Sequence, residues 1–160
     1  MSETTNTPAV TEQQPFFGIQ RIYLKGQSLE IPQGAQAFLE TGTPAMNLNL
    51  QIENSELAPN VYECVLRATL TCELNGKVLF LLESDQAGIF EIRNVSAEQL
   101  RDLLEINAPS ILGPYLRTQL ADTLTRATLP MFFMPEIHWP SLAQQNREQM
   151  KAANDPAKLH

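Results

Sequence analysis

Two apolar runs meet at Asn75-Gly76, and no other feature of the chain constrains its fold as tightly. A two-residue type I′ turn needs positive φ at both central positions, which asparagine tolerates and glycine adopts freely. The dipeptide therefore predicts a β-hairpin. Its first strand is Val61–Leu74, with Tyr62, Cys64, Leu66, Ala68, Leu70, Cys72 and Leu74 on one side. Glu63, Arg67, Thr69, Thr71 and Glu73 occupy the other side, the period-two pattern of a half-buried strand. The return strand reads as Lys77–Ser84 and is apolar on both faces at Val78, Leu79, Phe80, Leu81 and Leu82. Burial on two sides of a small antiparallel sheet calls for two covers, helices on one side and another subunit on the other.

The rest of the chain arranges itself around this hairpin. Phe16–Ile31 is rich in β-formers with imperfect alternation, as in an irregular or edge strand, and Pro32-Gln33-Gly34 ends it. Met46–Ile52 alternates strictly, and Pro59-Asn60 marks the turn that follows. Helices come late. Ser96-Ala97-Glu98-Gln99 is a capping box ahead of Leu100, Leu103 and Leu104, and Asn107-Ala108-Pro109 is expected to break that short helix. Leu112, Leu116, Leu120, Thr123 and Leu124 mark a longer helix, in which Pro114 fits only within the first turn. An apolar connection, Leu129 to Trp139, leads to a last helix opened by Pro140. Strands first and helices afterwards describe an antiparallel α+β fold rather than a doubly wound one. The expected organisation is a disordered leader over 1–15, a single domain over 16–153 and a flexible tail over 154–160.

Composition excludes several classes of function. With 18 acidic and 11 basic residues the net charge is −7, and no Lys/Arg cluster interrupts it. Such a chain repels phosphate backbones and favours a basic partner over nucleic acid. The longest apolar runs are only about five residues where a spanning helix needs about 20, so no membrane insertion is expected. The polar start lacks a secretory signal, which predicts a cytoplasmic chain. Cys64 and Cys72 lie on one strand roughly 27 Å apart at about 3.4 Å per residue, beyond disulfide reach. Both read as small core residues with free thiols.

Catalytic chemistry finds no foothold. His138 and His160 are far apart and belong to no cluster with metal-ligand spacing, so no metal is assigned. There is no G-x-S-x-G, P-loop or G-x-G-x-x-G, and paired carboxylates such as Glu83 and Asp85 read as a solvated face. No catalytic residue and no cofactor are assigned. The unusual feature is Met131-Phe132-Phe133-Met134-Pro135 with Ile137 and Trp139, an apolar stretch where a loop is normally polar. Two readings stand for it: a loop pinned down as core, or the wall of an adaptable groove, which methionine beside aromatics suits.

Several stretches carry a family likeness: Ile19-Gln20-Arg21-Ile22-Tyr23-Leu24-Lys25, Val61 to Thr69, Gly88-Ile89-Phe90 and Ala108 to Arg117. In this order and spacing, over about Phe17 to Leu142, the chain resembles the SecB protein-export chaperones. The resemblance implies a four-stranded antiparallel sheet with C-terminal helices packed on one face, assembled as a homotetramer, a dimer of dimers. It implies a holdase that needs no ATP, keeps unfolded preproteins competent for export and hands them to the translocation ATPase SecA. The alternatives are a small apolar-ligand carrier or enzyme of α+β fold, and a SecB-like chaperone dedicated to an antitoxin.

The family's residues carry over unevenly. The resemblance implies a SecA-docking surface at Glu30, Leu81 and Glu83, on an acidic face of the sheet. A further acidic position of that surface is Gly26 here, which removes one carboxylate. An aromatic position shortly after Phe38 is Gly42, and the family's Pro-Val-Asn-Phe is replaced by Glu136-Ile137-His138-Trp139. The client groove is assigned to Phe38, Leu48, Leu50, Met131, Phe132, Met134, Trp139 and Leu142.

Overall fold

A computed structural model describes residues 13–158. Most of the expected leader, residues 1–12, and the terminal Leu159 and His160 lie outside the described residues. Four strands, β1 (Phe16–Glu30), β2 (Ala45–Ala58), β3 (Val61–Leu74) and β4 (Lys77–Arg93), form one antiparallel sheet in the order β1-β4-β3-β2. The hairpin closes as the dipeptide dictates. Leu74 pairs with Lys77, while Asn75 and Gly76 take φ of 54° and 74°.

β1 is an edge strand, with register shifts at Ile19/Arg21 and Leu24/Gly26. β2 is the other edge, and a 3₁₀ turn, Gly34–Leu39, lies on the connection between the two. Two strands run further than their patterning predicts. β2 continues to Ala58 through exposed Glu53–Ala58, held by its ladder to β3 rather than by burial. β4 continues from Ser84 to Arg93, because Ser84 and Gln86 are polar yet face the helices, where Gln86 donates to the Tyr23 carbonyl at 3.1 Å. The two-sided apolar run in β4 also has a local cause. A register shift opposite Cys72/Glu73 lets consecutive Leu79 and Phe80 both enter the core.

Helices cover one face of the sheet. α1 (Ala97–Asp102) opens on the expected capping box, in which Gln99 N donates to Ser96 Oγ and Ser96 N to Gln99 Oε1. The expected break at Asn107-Ala108-Pro109 is absent. A π-helical turn, Leu103–Asn107, carries α1 directly into α2 (Ala108–Arg126), with Pro109 in the first turn of α2. The wider turn accommodates a residue that has no N–H to donate and whose ring crowds the preceding turn. Pro114 lies inside α2, not in its first turn, and is exposed. Leu112, Leu116, Leu120 and Leu124 form an i, i+4 stripe that is fully buried against Leu66, Leu70, Phe80 and Leu82. Residues 129–138 have no regular structure, and α3 (Trp139–Ala153) follows. After it, Pro156–Lys158 form a short 3₁₀ turn. No helix of the described residues is long and apolar enough to cross a membrane.

Candidate functional site

The edge strand β2, the apolar crossover 129–138 and α3 enclose a cavity of about 400 Å³. Leu48 and Leu50 form its floor, Phe132, Pro135 and Ile137 one wall, and Leu142, Gln145, Asn146 and Gln149 the other. Leu142, Gln145, Asn146 and Gln149 stand at i, i+3, i+4 and i+7, a single helix face.

Each wall has its own fixings. Crossover residues Leu129 and Met134 turn inward and are buried, so the backbone between them arches over the core. Arg117 of α2 donates from Nε to the Met134 carbonyl at 3.0 Å, and its Nη2 meets Glu136 at 3.3 Å. The Thr125 hydroxyl lies 3.5 Å from Met131 Sδ. At the start of α3, His138 is the N-cap, with Nδ1 accepting from the Ser141 amide. Trp139 packs against Gly113 of α2, where a β-carbon would come within 2.6 Å of Trp139 Cζ2. Only glycine admits the indole so close to the helix axis.

Of the residues assigned to the groove, Leu48, Leu50, Phe132 and Leu142 come together in this cavity. Met134 does not line it; at 4% exposure it is core, and its carbonyl accepts from Arg117. Trp139 packs against the core beside the cavity. Phe38, 51% exposed on the 3₁₀ turn, and Met131, 45% exposed, lie outside the lining. Gly42 is likewise away from the groove, against Leu74 and Asn75 at the hairpin end. The polar members of the α3 wall escaped the sequence reading, since glutamine and asparagine on a helix look like a solvated face. Their i, i+3, i+4, i+7 spacing from Leu142 was the signal available.

The sheet face turned away from the helices is the second candidate surface. Register places Glu30 directly opposite Leu81, and Glu83 between Ser28 and Thr69. The three docking candidates thus share one end of this face. Further along, Arg67 takes Asp85 in a two-pronged contact at 2.7 and 2.9 Å and reaches Glu53 at 3.3 Å. The Asp85 hydrogen bonds, with the carboxylate charges around it, push the Arg67 guanidinium further toward its charged form. Glu63, 8% exposed, is held by the Tyr23 hydroxyl and by Lys25 Nζ at 2.6 Å. Burial pushes its carboxyl up, but the hydrogen bonds from Lys25 and Tyr23 outweigh it and leave Glu63 below the ordinary range. The same hydrogen bonds raise Tyr23 and Lys25. Asp85 and Glu63 are therefore neutralised internally. Glu30 and Glu83 have no basic side chain within ion-pair distance among the described residues, and both are exposed. Gly26 pairs with Asp85, and its lack of a side chain leaves a notch beside Glu83.

Among the described residues no group of three or more His, Cys, Asp or Glu stands close enough to hold a metal ion. Cys64 is buried with its thiol directed at the Leu104 carbonyl, and burial together with the nearby Glu63 charge pushes it up to about 12.

Comparison with known proteins agrees with this geometry. The family model described as preprotein translocase subunit SecB matches residues 10–150. Proteins named protein-export protein SecB from Burkholderia mallei (strain SAVP1) and Burkholderia pseudomallei (strain K96243) are each 48% identical over 134 residues, 84% of either chain. The protein of that name from Burkholderia vietnamiensis is 44% identical over 140 residues, 88% of either chain. Among solved structures, a SecB-like chaperone of Mycobacterium tuberculosis, in complex with an antitoxin peptide, superposes with a TM-score of 0.61. It is 14% identical and the match covers 76% of this chain and 90% of that one, a likeness of fold. The family match over most of the chain, together with relatives of this identity, places the protein in the SecB family of protein-export chaperones.

Proposed function

We propose that the chain holds unfolded preproteins in the cytoplasm without ATP and delivers them to the SecA translocation ATPase. One observation carries this reading: an apolar groove lies open between an edge strand and an irregular crossover. Leu48, Leu50, Phe132 and Leu142 supply apolar contact, while Gln145 and Gln149 offer amide groups to a client backbone. β2 has one neighbour, β3, and beyond Ile52, whose carbonyl accepts from Asn146, its outer edge offers backbone groups that could pair with an extended segment.

The size of the groove sets the strength of binding. A cavity of about 400 Å³ takes only one or two client side chains. Burying about 200 Å² of apolar surface is worth about 5 kcal/mol, and ordering the client offsets much of it. A single site is then weak and releases quickly. A homotetramer, a dimer of dimers, would multiply the sites and raise affinity through local concentration. Exposed Ile19 and Leu24 on the β1 edge and Tyr115 on α2 support self-association there. Delivery falls to the opposite face of the sheet, where Glu30, Leu81 and Glu83 form an acidic, partly apolar patch suited to a basic docking segment of SecA. Client and ATPase thus occupy different faces and do not compete.

Titration with a fluorescent, extended apolar peptide tests the groove. Leu50→Asp and Leu142→Asp are each expected to abolish saturable binding while leaving binding to SecA intact. Undiminished peptide binding in both variants would remove the groove from the account. The relatives at 44–48% identity are named for protein export, whereas the antitoxin-bound neighbour shares only 14% identity. Export is accordingly the reading carried forward.

A further inference from the structure

α3 forms one wall of the groove, yet little apolar burial fixes its C-terminal half. Ala143 is its only buried residue among those described, and Trp139 and Leu142 pack on the core at the N-terminal end. Past Leu142 the wall is polar, so hydrophobic contact alone does not hold it at its distance from β2. Two polar contacts do. Asn146 Nδ2 donates to the Ile52 carbonyl of β2 at 3.2 Å. Arg147 reaches to the junction of α1 and the π-helical turn, where Nε donates to Glu105 and Nη2 meets Asp102 at 3.4 Å.

We infer that Arg147 is a positioning residue for client binding: its pairing with Glu105 and Asp102 fixes α3 and so sets the width of the groove. The inference rests on the holding function proposed above. A planar guanidinium bridging two carboxylates constrains direction as well as distance, which a single lysine contact does not. Arg147 and Glu105 are both partly shielded, with side chains 32% and 22% exposed, so the pair is stronger than a fully exposed one yet still screened by salt. The opposite wall is held chiefly by the buried Leu129 and Met134 side chains and by an Arg117 bond to a neutral carbonyl; its one ion pair, Arg117 with Glu136, ends on a carboxylate 94% exposed and contributes little. Salt therefore loosens α3 much more than the crossover. A loosened wall must be ordered again when a client binds, and that cost appears as faster release.

The test titrates the full-length protein with reduced, carboxymethylated α-lactalbumin, a permanently unfolded chain. This probe is acidic, as is the protein, so general screening by salt would tighten binding rather than weaken it. The expected result for Arg147→Glu is affinity lowered about tenfold, chiefly through faster release, the scale of coupling within a partly buried charge pair. Unfolding temperature and oligomer mass should match the parent. The charge swap Arg147→Glu with Glu105→Arg should restore affinity and return amide hydrogen exchange in α3 to the parent level. The parent's affinity is expected to fall with salt as α3 loosens, and Arg147→Gln, the milder change, should lose several-fold in affinity and remove that salt dependence. If the parent does not bind α-lactalbumin, the holding function fails and the inference with it. If the parent binds but both single variants bind as tightly, or the charge swap does not recover affinity, the positioning role alone is overturned.

Discussion

Replacing Gly113 by alanine sets two effects of opposite sign against each other. An alanine within α2 should stabilise the helix by about 1 kcal/mol through its better propensity. The new β-carbon, however, would sit 2.6 Å from Trp139 Cζ2, where carbon atoms prefer about 3.5–4.0 Å. The indole must then retreat by about 1 Å from a packed site, and such overpacking costs about 1–3 kcal/mol. The net expectation is a loss of about 0–2 kcal/mol, worth a few degrees in unfolding temperature for a chain of this length, at fixed protomer concentration. Function should suffer more than stability. Trp139 is the first residue of α3, so its shift passes to the His138 cap and, one turn on, to Leu142 in the groove. Because Trp139 is the only tryptophan, its emission reports the displacement directly in the same unfolding experiment. A variant that is about 1 kcal/mol more stable than the parent, with unmoved emission and unchanged client affinity, would refute the idea that α2 seats the groove wall through this contact.

Glu83→Lys should weaken binding to SecA by about tenfold while leaving client binding unchanged, read by calorimetry with each partner in turn; equal affinity for SecA would take Glu83 out of the docking face. Glu63→Gln should cost about 1–3 kcal/mol at neutral pH, measured by denaturant unfolding, since Lys25 and Tyr23 lose a buried carboxylate. Its pH dependence has a fixed sign. The Glu63 carboxyl is lowered in the folded state, so its contribution is present above the unfolded value of about 4.3 and fades as pH falls through the folded one. The parent should therefore lose more stability than Glu63→Gln on going from pH 5 to lower pH, and parallel acid limbs would contradict that. With its thiol pushed up to about 12, Cys64 should resist a thiol reagent at neutral pH until the protein is unfolded; rapid labelling of Cys64 in the native protein would contradict its burial.

Legibility in the sequence followed how far each residue's environment is set by its neighbours along the chain. The hairpin and the β3 alternation were plain, because turn chemistry and period-two burial are local. The capping box at Ser96 was plain for the same reason. The ends of β2 and β4 were hidden, because polar residues there are held by cross-strand pairing and, at Gln86, by a carbonyl on β1. Pro109 looked like a helix breaker because its accommodation depends on a widened turn that leaves no compositional mark. In the groove, Leu48, Leu50, Phe132 and Leu142 were readable as apolar residues in need of a partner. Met134 was not distinguishable from them, since its burial is set by the path of the crossover over the core, which Arg117, seventeen positions earlier on another helix, helps to fix through the Met134 carbonyl. The docking candidates lay on two strands far apart in sequence, and the β1/β4 register places Glu30 opposite Leu81.

Holding is tested most directly by the refolding of a slow-folding export precursor diluted from denaturant, without nucleotide, in the presence of the purified protein. A groove that captures extended apolar segments predicts a marked delay at equimolar protein, relieved when Leu50→Asp or Leu142→Asp replaces the parent. Refolding at the same rate with and without the parent protein would contradict it.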